Sequence, residues 1–226
     1  MKLLAIETAT EACSAALMID GDIAQRFEIA PREHASKILV MIDQLMADAQ
    51  LNPSQLDAVA FGRGPGAFMG VRIAAGIIQG IAFGAELPVI PVSTLAAIAQ
   101  GTSHDNVLVA IDARMREIYW GQYRRSHASA NVTAAAPEQL LAPADVTPAD
   151  ASLSWVGVGT GWQTYDTVLK ERLPGVVTID DNPYPAARSV VQLAVEPFQQ
   201  GQWVEAAEAL PVYLRDQVAE KPRSRG

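Results

Sequence analysis

The sequence predicts an α/β protein of two lobes with a cleft between them, on three observations. A glycine-rich turn, Gly62-Arg-Gly-Pro-Gly-Ala-Phe-Met-Gly70, joins an apolar run at 57–61 to a longer one at 71–85. Short strand-like runs alternate with segments of helical period from end to end. The pattern with which the chain opens also returns, faintly, in its second half.

Taken in order, residues 2–6 and 12–19 read as strands. Asp20-Gly21-Asp22 is a hairpin signal, and 23–29 forms the third strand of an antiparallel meander that Pro31 ends. The period then changes. Over 33–50, Ile38, Ile42, Leu45 and Ala49 form one helical stripe with Leu39, Met41 and Met46 beside it. So wide an apolar face suits either a helix buried on two sides or one with a flank left for a partner. The glycine turn reads as strand, turn, helix, and amides opening the following helix favour anions. It is not a Walker loop, because no Gly-Lys-Ser/Thr follows, nor a dinucleotide fingerprint. Gly76, Gly80 and Gly84 recur every four residues along the second helix. Each costs a helix interior ~1 kcal/mol relative to alanine, so close packing along that ridge is expected, from a strand of the same domain or a helix of another chain. Residues 87–91 form a strand, and Ser93 caps a short helix at 94–100.

Then the order restarts. Residues 106–112 resemble 2–7, each run ending in an acid, and 118–123 resemble 12–19. The segment 155–161 echoes 58–66 as strand and glycine turn. Segments 165–172, 176–179 and 186–200 continue the alternation, whereas 126–154, rich in Ala, Pro and Asp, reads as the least regular part. The lobes are expected at 1–102 and 103–226.

Composition narrows the function. The chain has 226 residues, half of them hydrophobic and 19% charged, which allows a sizeable core. A net charge of −8 makes it a poor stand-alone binder of nucleic acid, because phosphate neutralisation by Lys and Arg supplies most of that affinity. Cys13 is the one cysteine, which leaves no internal disulfide and suits a reducing compartment. The opening residues reach Glu7 too soon for a signal peptide, and 73–85 is too short for a membrane span, so a cytoplasmic protein is expected. His34 starts the first helix, as a cap or a partner contact, while His104 and His127 fall in polar stretches. No His pair has zinc-helix spacing, and no Gly-x-Ser-x-Gly elbow occurs.

Two strand–acid–turn units facing across a cleft suggest phosphate-contacting hairpins. That plan resembles the actin, sugar kinase and Hsp70 ATPase superfamily, an RNase H-like unit duplicated. Glu7, Thr8, Thr10 and Asp112 are expected at such a cleft as remnants of a phosphate site; the alternative is that Glu7 and Asp112 merely cap turns.

Four segments spread over nearly the whole chain sharpen the resemblance: Leu4-Ala-Ile-Glu-Thr-Ala-Thr-Glu-Ala-Cys-Ser14, Gly64-Pro-Gly-Ala-Phe-Met-Gly-Val-Arg72, Asp112-Ala-Arg-Met-Arg-Glu-Ile-Tyr119 and Pro211-Val-Tyr-Leu-Arg215. With them the chain closely resembles the TsaB family of bacterial tRNA threonylcarbamoyladenosine modification proteins. Ala67-Phe-Met69 departs mildly from the family's commoner Ser-Phe-Thr. The related catalytic protein TsaD carries a metal on a His-x-x-x-His pair after the strand that follows the glycine-rich helix. Thr94 and Ile98 stand at the corresponding positions, and neither a neutral hydroxyl nor an isoleucine serves as such a ligand.

The resemblance thus implies a non-catalytic subunit with no catalytic residue, metal or cofactor of its own; ATP/ADP and the metal belong to the partner subunits. It implies a heterodimer with TsaD, joined by the ATPase TsaE as third member, supporting threonylcarbamoyl transfer to adenosine 37 of ANN-decoding tRNAs. A homodimer is expected when the partner is missing, tRNA is met only through the complex, and no membrane is involved. The family's contact surface is the first two helices, which points to His34, Ile38, Met41, Ile42 and Leu45 on one and Val71, Ile73, Gly76, Ile77 and Gly80 on the other. The alternative is an active phosphotransferase or peptidase-like enzyme of the same superfamily. The first would need an acid such as Glu7 or Asp112 as base.

Overall fold

A computed structural model describes residues 1–125, 130–179 and 183–215, the side chains of 177–179 excepted. His127 lies outside the described residues.

The first sheet is built from β1 (Lys2–Glu7), β2 (Ala12–Ile19), β3 (Asp22–Ile29), β4 (Ala58–Gly62) and β5 (Val89–Val92), in the order β3-β2-β1-β4-β5. β1 runs antiparallel to β2, with Ile6 opposite Ala15, and parallel to β4, with Leu3 opposite Ala58. Asp20 (φ 50°) and Gly21 (φ 101°) both take left-handed backbone in the β2–β3 turn, as a two-residue hairpin loop requires. Every residue of β4 is buried, which is why its sequence is a continuous apolar run rather than an alternating one. Helices α1 (His34–Asp48) and α2 (Phe68–Ala85) pack on one face of this sheet, through Leu4, Ile6, Leu17, Val59 and Phe61.

The second sheet holds β6 (Asn106–Arg114), β7 (Glu117–Arg125), β8 (Val132–Ala134), β10 (Trp155–Val158) and β11 (Val176–Ile179), in the order β11-β10-β6-β7-β8, with β9 (Gln139–Leu141) also pairing β7. Read from the β8 edge, that order repeats the first sheet strand for strand. β6 is antiparallel to β7 and parallel to β10, as β1 is to β2 and β4. The echo in the sequence is therefore a duplicated topology, and the fold is the two-lobed, RNase H-like duplicated α/β class. Glu7 and Asp112 occupy equivalent strands, one at the end of β1 and the other near the end of β6.

The helices do not follow the division between the sheets. α3 (Thr94–Gln100) comes from the first half of the chain, yet Leu95, Ile98 and Ala99 pack against Val107, Val109 and Tyr123 of the second sheet. α6 (Ala187–Gln199) comes from the second half, yet Val190, Val191 and Ala194 pack against Leu3, Ala5 and Ala60 of the first. The tail continues over the first lobe, where Val204 bridges Val89 and the Val212 amide donates to the Arg63 carbonyl. A boundary at residue 102 thus separates the strands but not the packing. The segment expected at 165–172 is the helix α5 (Asp166–Arg172), and a short helix not foreseen, α4 (Thr160–Thr164), precedes it. In the described part of 126–154 the strands are only three residues long.

Two glycines, Gly64 in the turn and Gly70 in the first turn of α2, fix how the glycine-rich segment meets the strands. Gly64 has φ 96°, which a side chain would strain. At Gly70, an added Cβ would lie 2.1 Å from the Thr8 carbonyl oxygen, so the start of α2 presses directly on the β1–β2 turn. α2, at 18 residues, is longer than the 73–85 stretch suggested and passes the length and composition test for a membrane span, with its inner face packed on the sheet.

Candidate functional site

Two surfaces stand out, a cleft between the lobes and the outer face of the first lobe's helix layer. The cleft has a volume of about 870 Å³ and is walled by the β1–β2 turn, the start of α2, the β6–β7 hairpin, α4 and the tail at 212–215. Thr10 and Asp112 are among its lining residues. The Asp112 side chain is 10% exposed and accepts from the Arg114 amide at 2.9 Å, the Arg114 guanidinium at 3.0 Å and the Tyr165 hydroxyl at 3.3 Å. Arg72, Arg114 and Arg215 also line the cleft, as does Glu11, and Arg114 pairs with both Glu11 and Asp112. Among the described lining residues there is no histidine, cysteine or lysine.

Glu7 and Thr8 do not line the cleft; both are fully buried behind it, which corrects that expectation. Thr8 donates its hydroxyl to the Gly70 carbonyl at 2.8 Å. Glu7 Oε1 accepts from the Ala9 amide at 2.6 Å, and Oε2 accepts from the Thr94 hydroxyl at 3.0 Å. Burial, partly offset by those bonds, raises the Glu7 carboxyl to about 7. Thr94 also accepts from the Gly64 amide at 3.2 Å, so this carboxyl ties β1, the glycine turn and α3 together. Ile98, one turn further along α3, is buried against the second sheet. The two positions compared with a metal pair therefore serve a hydrogen bond and a core contact. Among the described residues no three His, Cys, Asp or Glu side chains converge.

On the outer face, α1 differs from the expectation. Ile38, Met41, Ile42 and Leu45 are 0–8% exposed and form core with the first sheet. His34 is 8% exposed, and its Nε2 is bonded to the Thr10 carbonyl at 2.8 Å. A partner cannot reach these side chains while α1 stays docked. The helical stripe found in the sequence is the stripe the core uses, and what α1 offers outward is Leu39 and Val40, each 54% exposed.

α2 is different. Val71 is buried, but Ile73 and Ile77 are partly exposed, and Gly76 and Gly80 face solvent. A Cβ added at Gly76, Gly80 or Gly84 would meet nothing within 4 Å, so the strand-of-the-same-domain explanation of the glycine ridge does not hold. Met69 (64% exposed) and Phe83 (83%) bracket the ridge. Phe83 is absent from the contact residues expected from the sequence, although it adjoins Gly84, the last glycine of the ridge.

The family described as "TsaD: tRNA N6-adenosine threonylcarbamoyltransferase" matches residues 27–223. The tRNA threonylcarbamoyladenosine biosynthesis protein TsaB of Escherichia coli K12 is 45% identical over 228 residues, covering 98% of this chain and 97% of the relative. The protein of the same name from Haemophilus influenzae is 40% identical, covering 98% and 96%. Among solved structures, YeaZ from Pseudomonas aeruginosa superposes with a TM-score of 0.88 at 42% identity, covering 94% of this chain and 99% of that one. A second Pseudomonas aeruginosa structure, described as an uncharacterized protein similar to the peptidase YeaZ, gives 0.87 at 44% identity, covering 95% and 99%.

Proposed function

The chain belongs to the TsaB family of tRNA threonylcarbamoyladenosine biosynthesis proteins, and from that premise we propose that it is a non-catalytic subunit that docks on the transferase TsaD and activates it. The observation that carries this reading is the open ridge of α2. Three interior glycines lower the stability of a helix whose own fold places nothing against them. The cost is accounted for if a second helix lies along the ridge at short distance, with Ile73, Ile77 and Phe83 packing around it. Leu39 and Val40 of α1 are exposed as well, Val40 beside Phe27 of β3.

The chemistry of the interior supports the non-catalytic half of the reading. The acid at the end of β1 is buried and bonded to Thr94, and the cleft acid Asp112 is paired with Arg114. The metal and the nucleotide are then supplied by TsaD and by the ATPase TsaE, and tRNA reaches the chain only within the assembly. Without a partner the same ridge pairs two copies of the chain. The protein works in the cytoplasm, where tRNA is modified.

The test is a threonylcarbamoyl transfer assay on unmodified tRNA with TsaE present throughout, run with TsaD alone, with this chain alone and with both. The reading expects turnover only when TsaD and this chain are both present. Nucleotide hydrolysis or peptide cleavage by the isolated chain, lost in Asp112→Ala, would instead favour the enzyme alternative.

A further inference from the structure

The tip of the β6–β7 hairpin is strained. Arg114, Met115 and Arg116 have φ of 61°, 56° and 63°, three consecutive non-glycine residues in the left-handed region. Each such residue costs on the order of 1 kcal/mol or more and persists only where surrounding contacts over-determine it. Here they do. The Asp112 carboxylate takes the Arg114 amide, and Arg215, from the far end of the described chain, donates to the Ala113 carbonyl at 3.0 Å. Arg215 also pairs with Glu117 at 2.7 Å and touches Met115 Sδ at 2.9 Å.

The result is a stiff projection. Arg114 and Met115 are 76% and 73% exposed at the mouth of the cleft, and Arg116 is exposed as well. Across the mouth, Arg72 lies 3.3 Å from the centre of the Phe68 ring and 4.8 Å from that of Tyr213. The two rings are themselves 6.1 Å apart and 51% and 44% exposed. Among the described residues, Glu11, Asp112 and Glu117 bring carboxylates to the mouth, and they pair with Arg114 and Arg215. Among the described residues, neither Arg72 nor Arg116 is in an ion pair.

We propose that this rim, Arg72 with Phe68 and Tyr213 on one side and Arg114–Met115–Arg116 on the other, is a contact surface for a single-stranded loop of the tRNA. Arg116 is exposed, and Arg72, which donates one N–H to the Phe68 carbonyl at 2.9 Å while lying on the Phe68 ring, keeps its other N–H groups for phosphate oxygens. The uncovered ring faces beside it answer unstacked bases; that interleaving is what single-stranded nucleic acid requires. A preformed tip spares the complex the cost of ordering a loop. The rim is cationic on a chain whose overall charge is −8, so it contributes affinity only where another protein holds most of the RNA. Arg72 lies beside Ile73 on α2, which makes the rim continuous with the ridge that faces the transferase. The inference rests on the docking reading above.

The experiment measures binding of fluorescently labelled, unmodified tRNA to the assembled complex of this chain with TsaD, across a range of salt. Wild type is compared with Arg116→Glu and with Arg72→Glu/Arg116→Glu, and size exclusion reports assembly for each. The expected result is intact assembly with tRNA affinity about tenfold lower in the double variant, and a salt dependence shallower by about 0.7 in log–log slope for each cation removed. Unchanged affinity and slope in an intact complex would overturn the RNA assignment. So would variants that shed a protein component while tRNA binding per assembled complex stays the same, which would give the rim to a protein partner. Failure of wild type to assemble with TsaD would remove the docking reading itself, and this inference with it.

Discussion

The Thr94 hydroxyl donates to Glu7 Oε2 across 3.0 Å, inside a fully buried cluster that also takes in the Ala9 and Gly64 amides. This one contact joins the acid at the end of β1 to the first turn of α3. It converts a carboxyl expected at an open cleft into an interior tie between three elements.

Glu7 makes stability depend on pH in an unusual direction. Its carboxyl sits at about 7 in the folded protein against an ordinary 4.5, because burial disfavours the charged form. With the folded value raised, the stability it contributes is fully present below about 4.5 and is lost as pH rises through about 7. Urea unfolding at acid and alkaline ends of that window should differ by up to about 3 kcal/mol from this group alone. Glu7→Gln should flatten the profile between the two ends. A wild-type profile that rises across the window would contradict the assignment.

The glycines of α2 should separate into two kinds. At Gly70 a methyl group meets the Thr8 carbonyl at 2.1 Å, so Gly70→Ala should destabilise by about 1–3 kcal/mol or more. At Gly76 and Gly84 the added methyl meets nothing within 4 Å. Alanine there should raise the stability of the isolated chain by up to ~1 kcal/mol each, from helix propensity. Thermal unfolding of the three variants checks the contrast, and a stabilised Gly70→Ala would show that the contact with Thr8 is not tight.

Ile42→Arg should unfold the first lobe rather than test an interface. Ile42 is 8% exposed and packs in the cluster shared with the sheet. Removing it loses on the order of 2 kcal/mol of burial, and a buried unpaired guanidinium adds to the loss. Leu39→Arg, at a position 54% exposed, should leave the fold intact. Circular dichroism melts distinguish them, and a native-like melt for Ile42→Arg would mean that α1 lifts away from the sheet.

What the sequence disclosed follows from what periodicity measures. The meander, the glycine turn and the return of the strand order after residue 105 all surfaced as the duplicated sheet, because buried parallel strands must be apolar and turns must carry glycine. The α1 interface list went inward for the same reason. A helical stripe such as Ile38, Ile42 and Leu45 marks the face that buries apolar area, and on α1 that face is the core. On α2 the signal was a departure from helix propensity, Gly76 and Gly80, and that departure did mark an outer face. The crossing of α3 and α6 between lobes left no mark in local pattern, since a helix reads the same whichever sheet it covers. Nor did the clamp of Arg215 on the β6–β7 hairpin, which joins residues about a hundred positions apart.

If the transferase docks on the α2 ridge, a bulky charge at Gly80 blocks it. Isothermal titration of TsaD into wild type and into Gly80→Arg, with unfolding curves of the chain alone measured in parallel, decides the point. Heat of binding for wild type, with no detectable binding for Gly80→Arg despite a melting transition at or above that of wild type, is the predicted result. Equal affinity for the two proteins would place the transferase elsewhere on the molecule.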